Sequence, residues 1–364
     1  MSDHPLGSSP ARPTACDAAA DEGAEGRTVI ANFGASVAVT RLAIDSVPVV
    51  GAVRAGRREQ VPERGSETAA DARAAPEPSS EPIDGSDVAR AVPLRSLPLL
   101  VAGDRVRCER EAGGSLRVVE LLPRRSVLER PDHRGRPKPL AANLTPLGIV
   151  SAAPPGIDTL LIDEFSVGAR RAGIEPLVIV NKADRLSEEA RRAVEALLAV
   201  YAAAAHPTLL VDAKSEAGLE PLRAWLGERP VGAEPCARTV ALVGASGVGK
   251  SSIVQRLLPD REVRIGAISA ATGLGSHTTS VTFLYELPEG GAVIDSPGVR
   301  RYSVAHLDPA DVRAGYRDIA AIAERCRYRD CAHAAEPGCA VHEALETGAL
   351  ARWRHANFRK LLTG

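Results

Sequence analysis

Nine consecutive residues, Gly244-Ala245-Ser246-Gly247-Val248-Gly249-Lys250-Ser251-Ser252, constrain this chain more than any other stretch. They follow an apolar run, Thr239 to Val243, that reads as a buried strand, and they precede Ile253 to Leu258, which reads as the start of a helix. Strand, Gly-x-x-x-x-Gly-Lys-Ser, helix is the setting of a phosphate-binding loop. Glycines let backbone N–H groups turn toward a phosphate without a Cβ in the way. The helix N-terminus adds its positive dipole end. A lysine at position 250 reaches the outer phosphates, and the Ser251 hydroxyl can hold Mg²⁺.

The pattern around this loop is α/β. Leu147 to Ala152, Pro176 to Val180 and Thr208 to Val211 read as strands, and Thr159 to Ala172 and Ser187 to Ala205 as helices, with Ser187 as an N-cap. Strands alternating with helices of this length predict a doubly wound sheet with ligands at the carboxyl ends of its strands. Straight after the Pro176–Val180 run comes Asn181-Lys182-Ala183-Asp184. A carboxylate there can accept hydrogen bonds from N1–H and the exocyclic amine of guanine, a donor pair that adenine lacks. The Asn181 amide can meet the other edge of the base, and the Lys182 stem can lie over the ring. Ala213 and Lys214, after the next strand, are weaker candidates for completing a guanine pocket.

Two further segments have the makings of a nucleotide switch. Thr272-Gly-Leu-Gly-Ser-His-Thr-Thr279 reads as a mobile loop, in which Thr278 or Thr279 would close on Mg²⁺. Gly291 to Gly298 is a strand running into Asp-x-x-Gly; Asp295 would support the Mg²⁺ shell, and the Gly298 N–H would sense the γ-phosphate. Many GTPases orient the attacking water with a glutamine after Asp-x-x-Gly. Here that place holds Val299, so slow intrinsic turnover is expected, and His277 is the candidate for positioning the water.

At 364 residues, two or three domains are expected on a prior of about 150 residues each. Residues 1–26 read as a disordered tail. From Thr28, short strand-like runs separated by turn signals predict a small β-barrel over 27–128, interrupted by an acidic, low-complexity insertion at about 61–93. Arg124, Arg125, Arg130, His133, Arg134, Arg136 and Lys138 form a basic stretch just after it. The formal net charge of -1 gives no global field for nucleic acid, so an RNA-binding face must be local. No apolar run approaches the roughly 20 residues of a membrane span, and the N-terminus lacks the plan of a signal peptide; no membrane partner and a cytoplasmic monomer are expected.

Cys326, Cys331, His333 and Cys339 form Cys-x4-Cys-x-His-x5-Cys. Three thiolates and an imidazole make a closed, structural Zn²⁺ site. His342 is a spare candidate ligand. Val341 to Leu362 reads as helical, with Arg352, Arg354, Arg359 and Lys360 available for RNA.

In an ordinary small GTPase the phosphate loop comes first and Asn-Lys-x-Asp last. The reverse order here, after a barrel and before a Cys/His cluster, resembles the circularly permuted GTPases that mature the small ribosomal subunit, the family of ribosome small subunit-dependent GTPase A. Val101 to Val106, Arg130 to Gly135, Ala141 to Asn143, Gly275 to Thr279, Asp295 to Arg300 and Cys326 to Val341 carry the resemblance together with the phosphate loop. It implies three parts: an oligonucleotide-binding (OB) barrel over 27–128, a permuted P-loop GTPase domain over 129–300 and a helical zinc domain over 301–364. It also implies GTP, Mg²⁺ and one Zn²⁺, hydrolysis stimulated by the small subunit and its rRNA, and a checkpoint late in assembly. Asn143-Leu-Thr145 departs from the family's Asn-Val-Asp, and Asp212 stands where serine is usual. Two alternatives are a P-loop NTPase unrelated to ribosomes and an RNA-binding module with a regulatory nucleotide site.

Overall fold

The computed structural model describes residues 24–33, 35–40, 53–54, 88–132, 134, 136–154, 156–228, 238–260, 281–287, 291–295, 307–334 and 336–363. Most of the acidic insertion, His277, Thr278, Thr279 and Gly298 lie outside them.

The first part is a barrel. Its strands are β1 (Ala24–Asn32), β2 (Val37–Thr40), a short β3 (Val53–Arg54), β4 (Ala89–Pro93), β5 (Arg105–Arg110) and β6 (Leu116–Leu121). β1 pairs with β2, β2 with β4, β4 with β6, β6 with β5, and β5 back with β1, so five strands close on themselves. β4 and β6 run parallel and the other four pairs of this ring antiparallel. Val29, Val37, Val39, Val106 and Val118, each with no exposed surface, fill the interior. Cys108 is a free thiol in this core, and burial pushes its pKa up to about 12, so it is inert.

Two boundaries differ from the sequence reading. β1 begins at Ala24, inside the stretch read as a tail, because Ala24 to Thr28 pair with Glu109 to Arg105. Ala89–Pro93, placed in the insertion, is a barrel strand instead; Ala91 is fully buried between β2 and β6.

The basic stretch folds as a hairpin of β7 (Val127–Pro131) and β8 (Pro137–Ala142). Arg124 is not a free phosphate-contacting group. Its guanidinium pairs with the fully buried Asp104 at 2.7 and 2.8 Å and donates to the Leu99 carbonyl. Asn143, at φ 55°, donates to Gly103 O (2.7 Å) and accepts from Arg125 N (2.9 Å), tying barrel to hairpin. Thr145 meets the departure in its motif with its hydroxyl, which accepts from Thr239 N at 2.8 Å.

The second part is a sheet in the order β11-β10-β9-β12-β14-β13, made of β9 (Pro146–Ala152), β10 (Glu175–Asn181), β11 (Thr208–Leu210), β12 (Thr239–Val243), β13 (Phe283–Glu286) and β14 (Ala292–Asp295). All pairs are parallel except β13 with β14. β13 also meets β1 at Ala31↔Phe283, so barrel and sheet are continuous. β9 and β12 are buried along their whole length and β10 everywhere but at Glu175, as in strands covered by helices on both faces. Those helices are α1 (Thr159–Arg171), α2 (Glu188–Ala203), α3 (Glu216–Gly227) and α4 (Lys250–Leu257). Asp158, Ser187 and Ser215 accept from the N–H groups of Leu161, Ala190 and Gly218 and so cap α1, α2 and α3.

Among the described residues the third part has four helices, α5 (Pro309–Gly315), α6 (Arg317–Ala323), α7 (Ala340–Glu346) and α8 (Arg352–Thr363). The single helix read over 341–362 is two, because Gly348 takes φ 76° and turns the chain between them. Val312, Tyr316, Val341 and Phe358 build a small core that includes Val167 of α1. A Cβ on Gly315 would lie 2.6 Å from Val167 Cγ2, so α5 lies directly against α1. Among the described residues no helix is long and apolar enough to cross a membrane.

Candidate functional site: a phosphate loop meeting a base pocket

The parallel strands bring the motifs together. β9, β10, β12 and β14 present their carboxyl ends at one edge, where Asn181 ends β10, Gly244 follows β12 and Asp295 ends β14. This edge is where an open α/β sheet binds its ligand. Asp295 is buried, one strand away from the phosphate loop.

Three glycines shape the loop: Gly244 (φ 138°), Gly247 (φ 80°) and Gly249 (φ 97°). A Cβ on Gly244 would lie 2.1 Å from the Val150 carbonyl oxygen, and one on Gly249 would lie 2.2 Å from Asn181 Nδ2. No side chain fits at either place. α4 starts at Lys250, so the free N–H groups of its first turn face the loop. The Lys250 ammonium donates to the loop's own carbonyls, Gly244 O at 2.9 Å and Ala245 O at 2.6 Å. Ala245, Ser246, Gly247, Ser251 and Ser252 are exposed, whereas Val248 is a buried anchor.

Asn181 is the joint between loop and pocket. Its buried amide donates to Val248 O (3.0 Å) and accepts from Ala213 N (3.1 Å). One side chain thus satisfies backbone groups of two other motifs. Lys182, at φ 67°, sends its ammonium to Pro154 O at 3.3 Å. Ala183 is fixed by its N–H to Val211 O (3.0 Å). The Asp184 carboxylate accepts from Lys214 Nζ at 2.5 Å. That hydrogen bond is the main reason its pKa lies below the usual aspartate value, so the group is ionised at neutral pH.

Asp212 proves to be a loop-former. Its carboxylate accepts from Lys214 N (2.9 Å) and from the Ser215 hydroxyl (3.3 Å). Both of these local bonds are ones a serine hydroxyl makes less well. Between these groups lies an open cavity of about 560 Å³, lined by Asn181, Asp184, Ala213, Lys214, Gly249 and Arg256 among others. Its size suits a nucleotide. The sequence reading did not single out Arg256, which has no motif of its own.

The Cys/His cluster also assembles. Ligand atoms of Cys326, Cys331, His333 and Cys339 all lie within 4.8 Å of one another, and His333 Nδ1 is 3.6 Å from both the Cys326 and Cys339 sulfurs. Three thiols converging on one imidazole nitrogen suit a tetrahedral zinc ion. The loop around them is held by Glu336, which accepts from Ala332 N and Ala334 N at 2.8 Å each. His333 stands at φ 55°, and its carbonyl oxygen lies 3.0 Å from His355 Nε2. His342, the spare candidate, is not one of the four; its ring stacks edge-on against His355. Of the four cations proposed for RNA, Arg352 and Lys360 are exposed. Arg354 is not available: it is 1% exposed and paired with Asp163 and Asp318. Arg359 is partly buried and donates to Ala332 O.

Comparison with known proteins adds to this geometry. The sequence model of the RsgA GTPase family matches residues 121–305. The small ribosomal subunit biogenesis GTPase RsgA of Azotobacter vinelandii is 45% identical over 269 residues, 73% of this chain and 75% of that protein. The protein of the same name from Ectopseudomonas mendocina is 43% identical over 267 residues, again 73% and 75%. Among solved structures, YloQ, described as a circularly permuted GTPase, superposes with a TM-score of 0.65 at 19% identity, covering 95% of this chain and 96% of its own. YjeQ from Thermotoga maritima gives 0.62 at 22% identity, with 93% and 98% covered.

Proposed function

This chain belongs to the RsgA GTPase family and is a GTP-hydrolysing enzyme, and from that premise we propose that it serves small ribosomal subunit biogenesis, binding the subunit and its rRNA late in maturation and leaving on hydrolysis. The observation that carries the reading is Asn181, whose one amide joins the phosphate loop at Val248 to the base loop at Ala213. A base pocket and a phosphate loop locked together suit a guanine nucleotide read at both ends.

In this reading the residues act as follows. Asp184 accepts the N1–H and 2-amine of guanine, and the stem of Lys182 covers the ring. The Ala213 and Lys214 segment closes the pocket. The N–H groups of Gly244 to Ser252 surround the phosphates, and Lys250 swings from its own loop carbonyls to the outer phosphate oxygens. Ser251 and Asp295 would hold Mg²⁺, with Thr278 or Thr279, and Mg²⁺ would neutralise developing phosphate charge. The Gly298 N–H senses the γ-phosphate, and His277 orients water where Val299 cannot. Cys326, Cys331, His333 and Cys339 would hold one structural Zn²⁺. The working division is barrel to residue 128, GTPase unit 129–300 and zinc unit 301–364, acting as a cytoplasmic monomer. The exposed Arg134, Arg136 and Lys138 of the hairpin, with the half-buried Arg130, are the RNA-facing candidates.

The test is co-sedimentation of the protein with isolated small subunits. Retention with a non-hydrolysable GTP analogue and release with GDP are expected; equal retention in both states would contradict the release cycle.

Two local predictions follow from the packing. Gly249→Ala forces a Cβ onto Asn181 at a strained φ. The strain of about 1–3 kcal/mol corresponds to a loss of about 5- to 150-fold in GDP affinity, measured by calorimetry; unchanged affinity would refute the close fit. Stripping zinc with a chelator is expected to open the C-terminal helices to protease while the barrel stays resistant, because structural zinc contributes directly to folding. Equal resistance before and after stripping would argue against a structural ion.

A further inference from the structure

We propose that Arg256 is a positioning residue for base recognition, linking the helix of the phosphate loop to the carboxylate that reads guanine; this rests on the nucleotide reading given above. Arg256 sits near the end of α4, away from the phosphates. Its Nη2 donates to Lys214 O at 2.7 Å, and its Nη1 meets Glu216 Oε1 at 3.2 Å. Its own carbonyl oxygen accepts from Arg223 Nη2 at 2.7 Å, and that same Nη2 pairs with Glu216 Oε2 at 3.1 Å. Two arginines therefore share one carboxylate, and the ring they make joins α3, α4 and the base loop.

Stability does not explain the Arg256 half of this ring, although Arg223, the other half, is buried. The Glu216 side chain is 66% exposed and that of Arg256 38%, and pairs so wet contribute about 0–1 kcal/mol. What the ring fixes is Lys214. With its carbonyl held by Arg256 and its N–H held by Asp212, the Lys214 backbone is fixed, and its side chain, 64% exposed, starts from a set position beside Asp184. There its ammonium meets Asp184. The chain of contacts is continuous: α4, Arg256, Lys214, Asp184. The same α4 begins at Lys250. A helix that reads phosphates at its start therefore steadies the base-reading carboxylate at its end. Because the coupling acts through Asp184, it is felt only by donors that Asp184 binds.

The distinguishing measurement is the ratio of GDP to inosine diphosphate affinity. Inosine keeps N1–H but lacks the 2-amine, so it makes one of the two hydrogen bonds to Asp184. Arg256→Ala is expected to weaken GDP by about tenfold and inosine diphosphate by about threefold, the scale of one and of half a charge-assisted hydrogen bond. The ratio therefore falls. Glu216→Gln, at an exposed side chain that tolerates change, is expected to lower the ratio in the same direction but less. A merely structural role would weaken both nucleotides equally, and an unchanged ratio in both variants would overturn the inference. Asp184→Asn serves as the control. If it leaves the ratio unchanged, the guanine-pocket reading itself fails; if it alters the ratio while the other two variants do not, only the role of Arg256 fails.

Discussion

Replacing Arg354 with alanine is expected to destabilise the protein by about 3–5 kcal/mol, the cost of orphaning a buried charge. Arg354 is the largest fully buried side chain among the described residues. Its guanidinium is shared between Asp163 of α1 and Asp318 of α6, with Nε to Asp318 Oδ2 at 3.0 Å and Nη2 to Oδ1 at 3.3 Å. Its Cζ lies 4.2 Å from the centre of the Tyr316 ring. Asp163 has no exposed surface, and it also accepts from the Tyr316 hydroxyl at 3.0 Å and from Asn357 at 2.8 Å. Burial raises its pKa despite the arginine beside it, which shows how much the carboxylate depends on that partner. Without the arginine, α8 keeps only the Asn357 hydrogen bonds to Asp163 and Thr159 as polar ties to α1, and the helical unit loosens from the GTPase unit. Urea denaturation measures the loss. In a double-mutant cycle, adding Asp163→Asn to Arg354→Ala should recover part of it, because the orphaned charge is then gone. A loss below about 1 kcal/mol, the scale of a surface pair, would refute the assignment.

Asp184→Asn is expected to lower GDP affinity by a factor of about 10²–10⁴. The bond to the 2-amine is lost against a facing donor and the bond to N1–H loses its charge; charge-assisted hydrogen bonds contribute about 1.5–3 kcal/mol each, and about 1.4 kcal/mol corresponds to tenfold. The loss is selective. An asparagine keeps an acceptor for N1–H but turns its second oxygen into an N–H donor, which faces the guanine amine badly and the C2 carbonyl of xanthine well. Xanthosine diphosphate should therefore bind the variant more tightly than GDP does, reversing the order in the parent protein. Competition binding reads both numbers. Equal losses for the two bases would mean that Asp184 does not read the base edge.

The phosphate loop and Asn181 to Asp184 were legible in the sequence because their chemistry is local: each sits in a few consecutive residues after an apolar strand. What stayed hidden depends on distant partners. Arg354 read as a surface cation because Asp163 lies 191 positions earlier in the chain. Arg124 read the same way, though Asp104 neutralises it. Strand β4 was lost in acidic low-complexity sequence, since Ala91 is the one fully buried residue in it. The β7–β8 hairpin showed only its charges, while Leu128, Ala141 and Ala142 carry its buried side. Helix α3 was obscured by Pro221 within it. Asn181 was expected at the base edge, but its tie to Val248 across 67 positions could be seen only in three dimensions.

The central claim is tested most directly by GTP turnover with and without isolated small ribosomal subunits, beside the Asp184→Asn variant. Slow turnover alone, strong stimulation by the subunits, and loss of that stimulated GTP turnover in the variant are the predicted results. Turnover that is the same with and without subunits, or that prefers ATP, would contradict the account.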